Sequence, residues 1–324
     1  MSSPMSTASR DAAGPGSQAA DPSAICLPEV EERGWGPTLL LCAVVLLSAL
    51  IVVVAKPLTA GASPTRSHAH AAIVRHAEKV SKVAPGVATS PNWSGYVAYA
   101  PLGNNGGFNQ VSAQWTEPAV TCPKKDAWTL FWVGFDGWPS TEPSMERSVE
   151  QGGTSAQCVN GVPRYKAFYE MWPSDAVQTT FAVNAGDQIF ASVVYSPTTY
   201  SFTTPFQITV TDVTTGHSLA QLEPCGPGLD CARTSAEWIA ESPAHYGSKT
   251  TTWFPLADYG TVNFTDAQAT NVLGDSGPIS APQWWDSSGI ERIAGRSKPL
   301  AKVSTLESEY SGSASAFSDT WQRK

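Results

Sequence analysis

The sequence predicts an all-β protein, an antiparallel β-sandwich of two sheets filling residues 90–324, and three observations predict it. From Pro91 onward, segments such as "FNQVSAQWTEP", "WTLFWVGFDG", "YKAFYEMWP", "DQIFASVVYS" and "FQITVTD" are rich in aromatic and β-branched residues, many alternating with polar ones. Turn signals separate them, among them "GNNGG", "NAGD", "TTG" and "LGDSG". No helical run of crossover length intervenes, the one ambiguous stretch being "SAPQWWDSSGIERIAG". Gly (26), Pro (25) and Trp (12) are plentiful, as short strands joined by tight turns require.

Three segments precede that domain. Residues 1–37 form a Pro/Gly/Ser-rich tail expected to be disordered. Residues 38–55, "TLLLCAVVLLSALIVVVA", are an uncharged apolar run close to the ~20 residues that span a bilayer. The run reads either as a cleaved signal, with Ala60-Gly61-Ala62 a candidate cleavage site, or as a retained anchor. Arg33 and Lys56 flank it almost symmetrically and do not choose between the two. Either way the remainder is expected outside the cell, secreted or membrane-anchored. Residues 56–89 hold Arg66, Arg75, Lys79 and Lys82 against the single acid Glu78, and are read as a linker or as a basic pro-segment covering an acidic domain.

Within the exported part, charge and cysteines narrow the function classes. From Pro91 onward 13 Lys and Arg stand against 22 Asp and Glu, a net charge of −9, which would repel nucleic acid. Four cysteines remain there, and the expected pairs are Cys225–Cys231, closing "CGPGLDC", and Cys122–Cys158. No CxxC, HExxH or phosphate loop appears, so neither metal nor other cofactor is expected. The domain's two histidines, His217 and His245, lie in a hairpin turn and a loop, and no GxSxG is present. A Ser-His-Asp triad is therefore not predicted. Catalysis has to rest on carboxylates and amides.

Four acids sit inside aromatic strands: Asp136, Glu150, Glu170 and Glu237. A carboxyl held against rings loses water, which raises its pKa towards a useful range for proton transfer. In "SVEQGGTSAQC" an alternating strand would aim Glu150 and its neighbour Gln151 at opposite faces. Two of these carboxylates spaced for glycoside hydrolysis, with the aromatics as sugar platforms, would make a glycosidase or lectin. The residues alone leave that alternative open.

The ordered set "SPNWSGY", "VSAQWTEP", "FWVGFDG", "EQGG", "YKAFYEMWP", "TTG" and "RTSAEWIAE" resembles the glutamic peptidases, the eqolisin or G1 family formerly called A4. The resemblance runs from about Ser90 to Ser280; each motif alone is weakly specific, and their order and joint presence strongly so. It implies a sandwich of two antiparallel sheets, a protein or peptide substrate and a monomeric acid endopeptidase. Its catalytic pair carries over onto Gln151 and Glu237, and its substrate cleft onto Trp93, Trp132, Asp136 and Glu170. On that reading Glu237 is general base and then acid, Gln151 an untitratable oxyanion donor, and Gly152-Gly153 admit the substrate backbone. The sequence departs from the fungal pattern at "GG" after the glutamine and at "YEMWP", which bears on subsites. A relative that has lost activity and only binds peptides is the remaining alternative.

Overall fold

The computed structural model describes residues 65–66, 87–99, 107–138, 148–226, 228–246, 251–293, 299–304, 307–310 and 313–322. The apolar run 38–55 and the tail before it lie outside the described residues, among which no helix is long and apolar enough to cross a membrane.

All regular structure among these residues is strand. In chain order the strands are β1 (Thr65–Arg66), β2 (Val87–Ser90), β3 (Trp93–Tyr99), β4 (Phe108–Thr116), β5 (Ala127–Phe135), β6 (Val149–Val159), β7 (Val162–Trp172), β8 (Val177–Ala182), β9 (Gln188–Tyr195) and β10 (Phe206–Asp212). There follow β11 (His217–Glu223), β12 (Ser235–Glu241), β13 (Ala244–Tyr246), β14 (Thr251–Trp253), β15 (Thr261–Asn271), β16 (Ser276–Pro278), β17 (Asp286–Ile293), β18 (Pro299–Val303), β19 (Glu307–Tyr310) and β20 (Ser313–Trp321).

Hydrogen bonding arranges them as two layers joined at a corner. The first layer runs β1-β8-β7-β6-β5-β12-β3-β17-β2, and the second β20-β15-β4-β9-β10-β11. Strand β18 pairs with both β17 and β20 and so carries one layer into the other. The pairing is antiparallel throughout except for β2 on β17, which is parallel. The ambiguous stretch near the C-terminus is not helical: it turns at 282–284 and continues as β17.

Side-chain alternation explains the layering. Strand β10 alternates strictly between buried and half-buried, with one face on the core and one towards water. Strand β5, "AWTLFWVGF", is buried at every position, so both of its faces are covered. One face packs on the second layer through Phe131, Val133 and Phe135, with Trp238 of β12 beside them, against Val193, Ile208 and Val210. The other carries a separate aromatic and aliphatic floor of Trp93, Val97, Leu130, Trp132, Phe168, Ile239 and Ile290. That floor lies on the side of the first layer away from the second.

Two covalent ties confirm the expected cysteine pairing. Cys122–Cys158 fastens the approach to β5 onto β6, and Cys225–Cys231 closes the turn before β12.

Candidate active site

The hairpin joining β6 to β7 sets the register of the site. Its two turn residues, Asn160 and Gly161, both have positive φ (52° and 79°), the conformation that two-residue hairpins need for the strand twist. Val159 therefore faces Val162, and counting back along the ladder sets Gln151 opposite Glu170. On its other side Gln151 faces Gly134 of β5, and Gly134 faces Glu237 of β12. Residues directly opposite across a sheet share a face. One row therefore runs Glu237, Gly134, Gln151, Glu170 across four strands, on the face of the aromatic floor.

Gly134 makes this row usable. It lacks the side chain that would stand between the acid and the amide. A Cβ there would lie 2.6 Å from the Glu150 carbonyl oxygen and 3.1 Å from Gln151 Cβ. The main chains of β12 and β6 are two strand spacings apart, ~9.6 Å, with no side chain from β5 between the acid and the amide. A glycine inside an otherwise aromatic strand is a visible sign of close approach, although nothing in the sequence says what approaches.

The Gln151 amide donates from Nε2 to Glu170 Oε2 at 2.8 Å, while Gln151 Oε1 and Glu170 Oε1 have no hydrogen-bond partner. Both Glu237 oxygens are likewise without a well-formed hydrogen bond. Burial raises the Glu237 carboxyl well above its usual range; the Ser235 hydroxyl opposes this, and the negative charges of Asp136 and Glu150 add to it. Glu170 is raised in the same way, by burial first and then by Glu241 and Asp175.

The remaining expected site residues fall in two places. Trp93 and Trp132 stand on the same face as the row, their rings 5.1 Å apart and edge-on at 76°. Trp132 Nε1 donates to Glu241 at 2.8 Å, and Asn92 Nδ2 donates to the other Glu241 oxygen at 3.2 Å. Glu241 thus belongs to the floor, and Asn92 is fully buried there. Tyr99, Trp138 and Trp172, half-buried against the floor, were not singled out from the sequence.

Asp136 is not in the row. It ends β5 with a φ of 63°, and its carboxylate accepts from the main-chain N–H of Arg233 (2.7 Å) and Thr234 (2.8 Å) and from the Thr234 hydroxyl (3.1 Å). Those bonds tie down the start of β12, three residues before Glu237. Burial raises the Asp136 carboxyl to about 6 against the pull of these donors.

Alternation separates Glu150 from Gln151, as expected. Glu150 pairs across with Phe135 and Met171, both in the core between the layers, and lies buried beside Asp136. The glycines after Gln151 do not serve as expected. A Cβ at Gly152 would lie 2.4 Å from Ile208 Cγ2 of the second layer, and one at Gly153 would strike the Phe131 carbonyl oxygen. Their smallness answers to packing within the protein.

Comparison with known proteins completes the description. Residues 91–309 match the peptidase A4 family. The chain is 28% identical over 212 residues to aspergillopepsin-2 of Aspergillus niger, covering 59% of this chain and 68% of that protein. Its fold resembles that of scytalido-glutamic peptidase, solved with a transition-state analogue inhibitor (TM-score 0.56, 23% identity, 72% of this chain and 98% of the other). It also resembles SCP-B, described as an eqolisin and solved with the tripeptide Ala-Ile-His (TM-score 0.54, 23% identity, 72% and 98%).

Proposed function

The chain belongs to the peptidase A4 family, the glutamic-type endopeptidases, and from that premise we propose that it hydrolyses peptide bonds with Gln151 and Glu237 as catalytic pair. The observation that carries this is the row Glu237–Gly134–Gln151, which holds an acid and an untitratable amide on one face with no side chain between them. A water above Gly134 gives one hydrogen to Glu237 and the other to Gln151 Oε1, leaving a lone pair for the scissile carbonyl. Glu237 takes the proton as the water attacks and delivers it to the leaving amine. The second N–H of Gln151 stabilises the oxyanion without changing charge at any pH.

Trp93, Trp132 and the half-buried Tyr99 and Trp138 would receive substrate side chains beside the row. Two further observations speak against the glycosidase alternative. Glu170 and Glu237 are three strand spacings apart, on the order of 14 Å between main chains, with Gln151 between them. Gln151 thus stands where a glycosidase leaves room for sugar and water between its paired carboxylates. Glu150 faces the other side of the sheet.

Export, with residues 38–55 as signal or anchor, remains part of the proposal, as does the reading of residues 56–89 as a pro-segment. What supports the latter is that Thr65 and Arg66 pair with β8 on the edge of the catalytic sheet. Cleavage of a denatured protein by a chain beginning at Val87 and by the longer exported form, across several pH values, tests it. Identical profiles would sink the pro-segment.

The catalytic assignment is tested by Gln151→Ala and Glu237→Gln. Loss of the amide donor should lower kcat/KM by about 10²–10³, and loss of the acid should abolish cleavage. Both variants should retain the β-sheet circular dichroism of the parent. Full activity in purified Glu237→Gln would overturn the assignment.

A further inference from the structure

Resting on the reading of Gln151 and Glu237 as the catalytic pair, we propose that Glu170 is a positioning residue that fixes which end of the Gln151 amide faces Glu237. An amide has two ends of nearly equal shape and opposite hydrogen-bonding sense, and only its neighbours choose between them. Here Glu170 stands directly across from Gln151 and takes the Nε2 end at 2.8 Å. Gly134 and Glu237 lie on the opposite flank of Gln151. The oxygen end is thereby turned away from Glu170 and left without a partner.

The orientation decides what a water over Gly134 can do. With Oε1 turned inward, the water faces two acceptors, Oε1 and the Glu237 carboxylate. Both of its hydrogens are engaged and a lone pair points outward. With the amide reversed, an N–H would donate to the water's oxygen, take one of its two lone pairs and leave it a poorer nucleophile, with only one hydrogen held. An ionised Glu170 only accepts, so in that state it selects the productive orientation. Asp175 and Glu241 add negative potential at Glu170 from a neighbouring loop and from β12. No cation pairs with Glu170 among the described residues, and its Oε2 accepts from the Gln151 amide.

The test is steady-state cleavage of one peptide substrate by Glu170→Gln, Glu170→Ala, Gln151→Ala and the Gln151→Ala/Glu170→Ala double variant, each with its melting midpoint. Glu170→Gln keeps the size of the side chain but, unlike an ionised carboxylate, can satisfy either end of the Gln151 amide. It should lower kcat by ~10- to 100-fold, the scale of misplacing a catalytic group, with KM within about twofold and the midpoint unchanged. Glu170→Ala should lose at least as much. The double variant should be no slower than Gln151→Ala, since Glu170 then has nothing to orient, whereas a merely structural role would multiply the two losses.

Unchanged kcat in Glu170→Gln overturns the proposal, and so does a raised KM at unchanged kcat, which would make Glu170 a substrate contact. If Gln151→Ala falls below detection, the kcat–KM split and the midpoint of Glu170→Gln decide. Wild-type kcat in Gln151→Ala would instead remove the catalytic assignment itself, whatever Glu170 does.

Discussion

At the scale of single residues, the neighbours Glu150 and Gln151 show how little chemistry can be assigned by residue type alone. Both are fully buried, and the titratable one is turned into the core between the layers. Its carboxyl is raised well above the usual range by burial, with the adjacent Asp136 charge next in weight. A neutral acid is closely mimicked by an amide, so Glu150→Gln should leave kcat/KM within about twofold; a loss beyond tenfold would place Glu150 in the reaction. Gly134→Ala should do the opposite. Its methyl group would meet the Glu150 carbonyl oxygen and Gln151 Cβ and close the gap in the row. Activity should fall by at least ~10-fold, the usual penalty of a displaced catalytic group, in a chain that still folds. Alternation made the divergence of Glu150 and Gln151 legible in the sequence. That Asp136 spends its carboxylate on the main chain of Arg233 and Thr234 was not legible, because those partners lie 97 and 98 residues away.

At the scale of elements, the β6–β7 hairpin transmits sequence to site. Asn160-Gly161 is a strong short-range turn signal, and from it alone the pairing of Gln151 with Glu170 can be counted. A Cβ at Gly161 would find only the Pro123 carbonyl oxygen, at 3.9 Å, so the cost of a substitution is conformational. Gly161→Ala should lower stability by about 1 kcal/mol through its positive φ, read as a shift in the urea midpoint. The clamp at the head of β12 should matter more. Asp136→Ala leaves two main-chain donors without their acceptor and should cost about 2–4 kcal/mol. An unchanged urea midpoint would show that the clamp contributes nothing. The sheet neighbours of β12, by contrast, could not be read from sequence. Strands β3 and β5 flank it from more than a hundred residues upstream, and alternation does not encode which strands become neighbours.

At the scale of the whole molecule, buried carboxyls couple stability to pH. Burial raises Glu117, Glu241 and Asp319 each to about 7, and Asp136 to about 6. Hydrogen bonds from Thr154 and Trp115 to Glu117, from Trp132 and Asn92 to Glu241, and from Ser94 and Tyr259 to Asp319 oppose the shift without cancelling it. Arg292 is the buried cation near Glu241. Between the ordinary carboxylate range near 4 and about 7, the folded chain holds protons that the unfolded chain has released. Stability from these groups is therefore complete in acid and falls as pH rises through about 7. In its proposed role, Glu237 pulls the other way on activity. Its raised pKa requires a higher pH before it can act as base, so the rising limb of kcat/KM should lie above the ordinary carboxylate range. Activity should then occupy a mildly acidic window, bounded below by proton uptake at Glu237 and above by loss of the fold. Melting midpoints that stay constant or climb from pH 4 to pH 7 would rule out the upper bound. The all-β class and both disulfides were legible because they depend on local pattern and on few alternatives. The burial that sets these pKa values was not, because it arises only when two layers close over residues far apart in the chain.

The glycine of the row has one more consequence. The distance between Glu237 and Gln151 is a lattice constant of the sheet, two repeats of main-chain hydrogen bonding, and owes little to the identity of surrounding side chains. Loops, facing layer and surface can drift while that measure holds, provided position 134 stays empty. A chain that shares only 28% of its residues with aspergillopepsin-2 over the matched region can therefore hold the spacing of the proposed pair by keeping that one position bare.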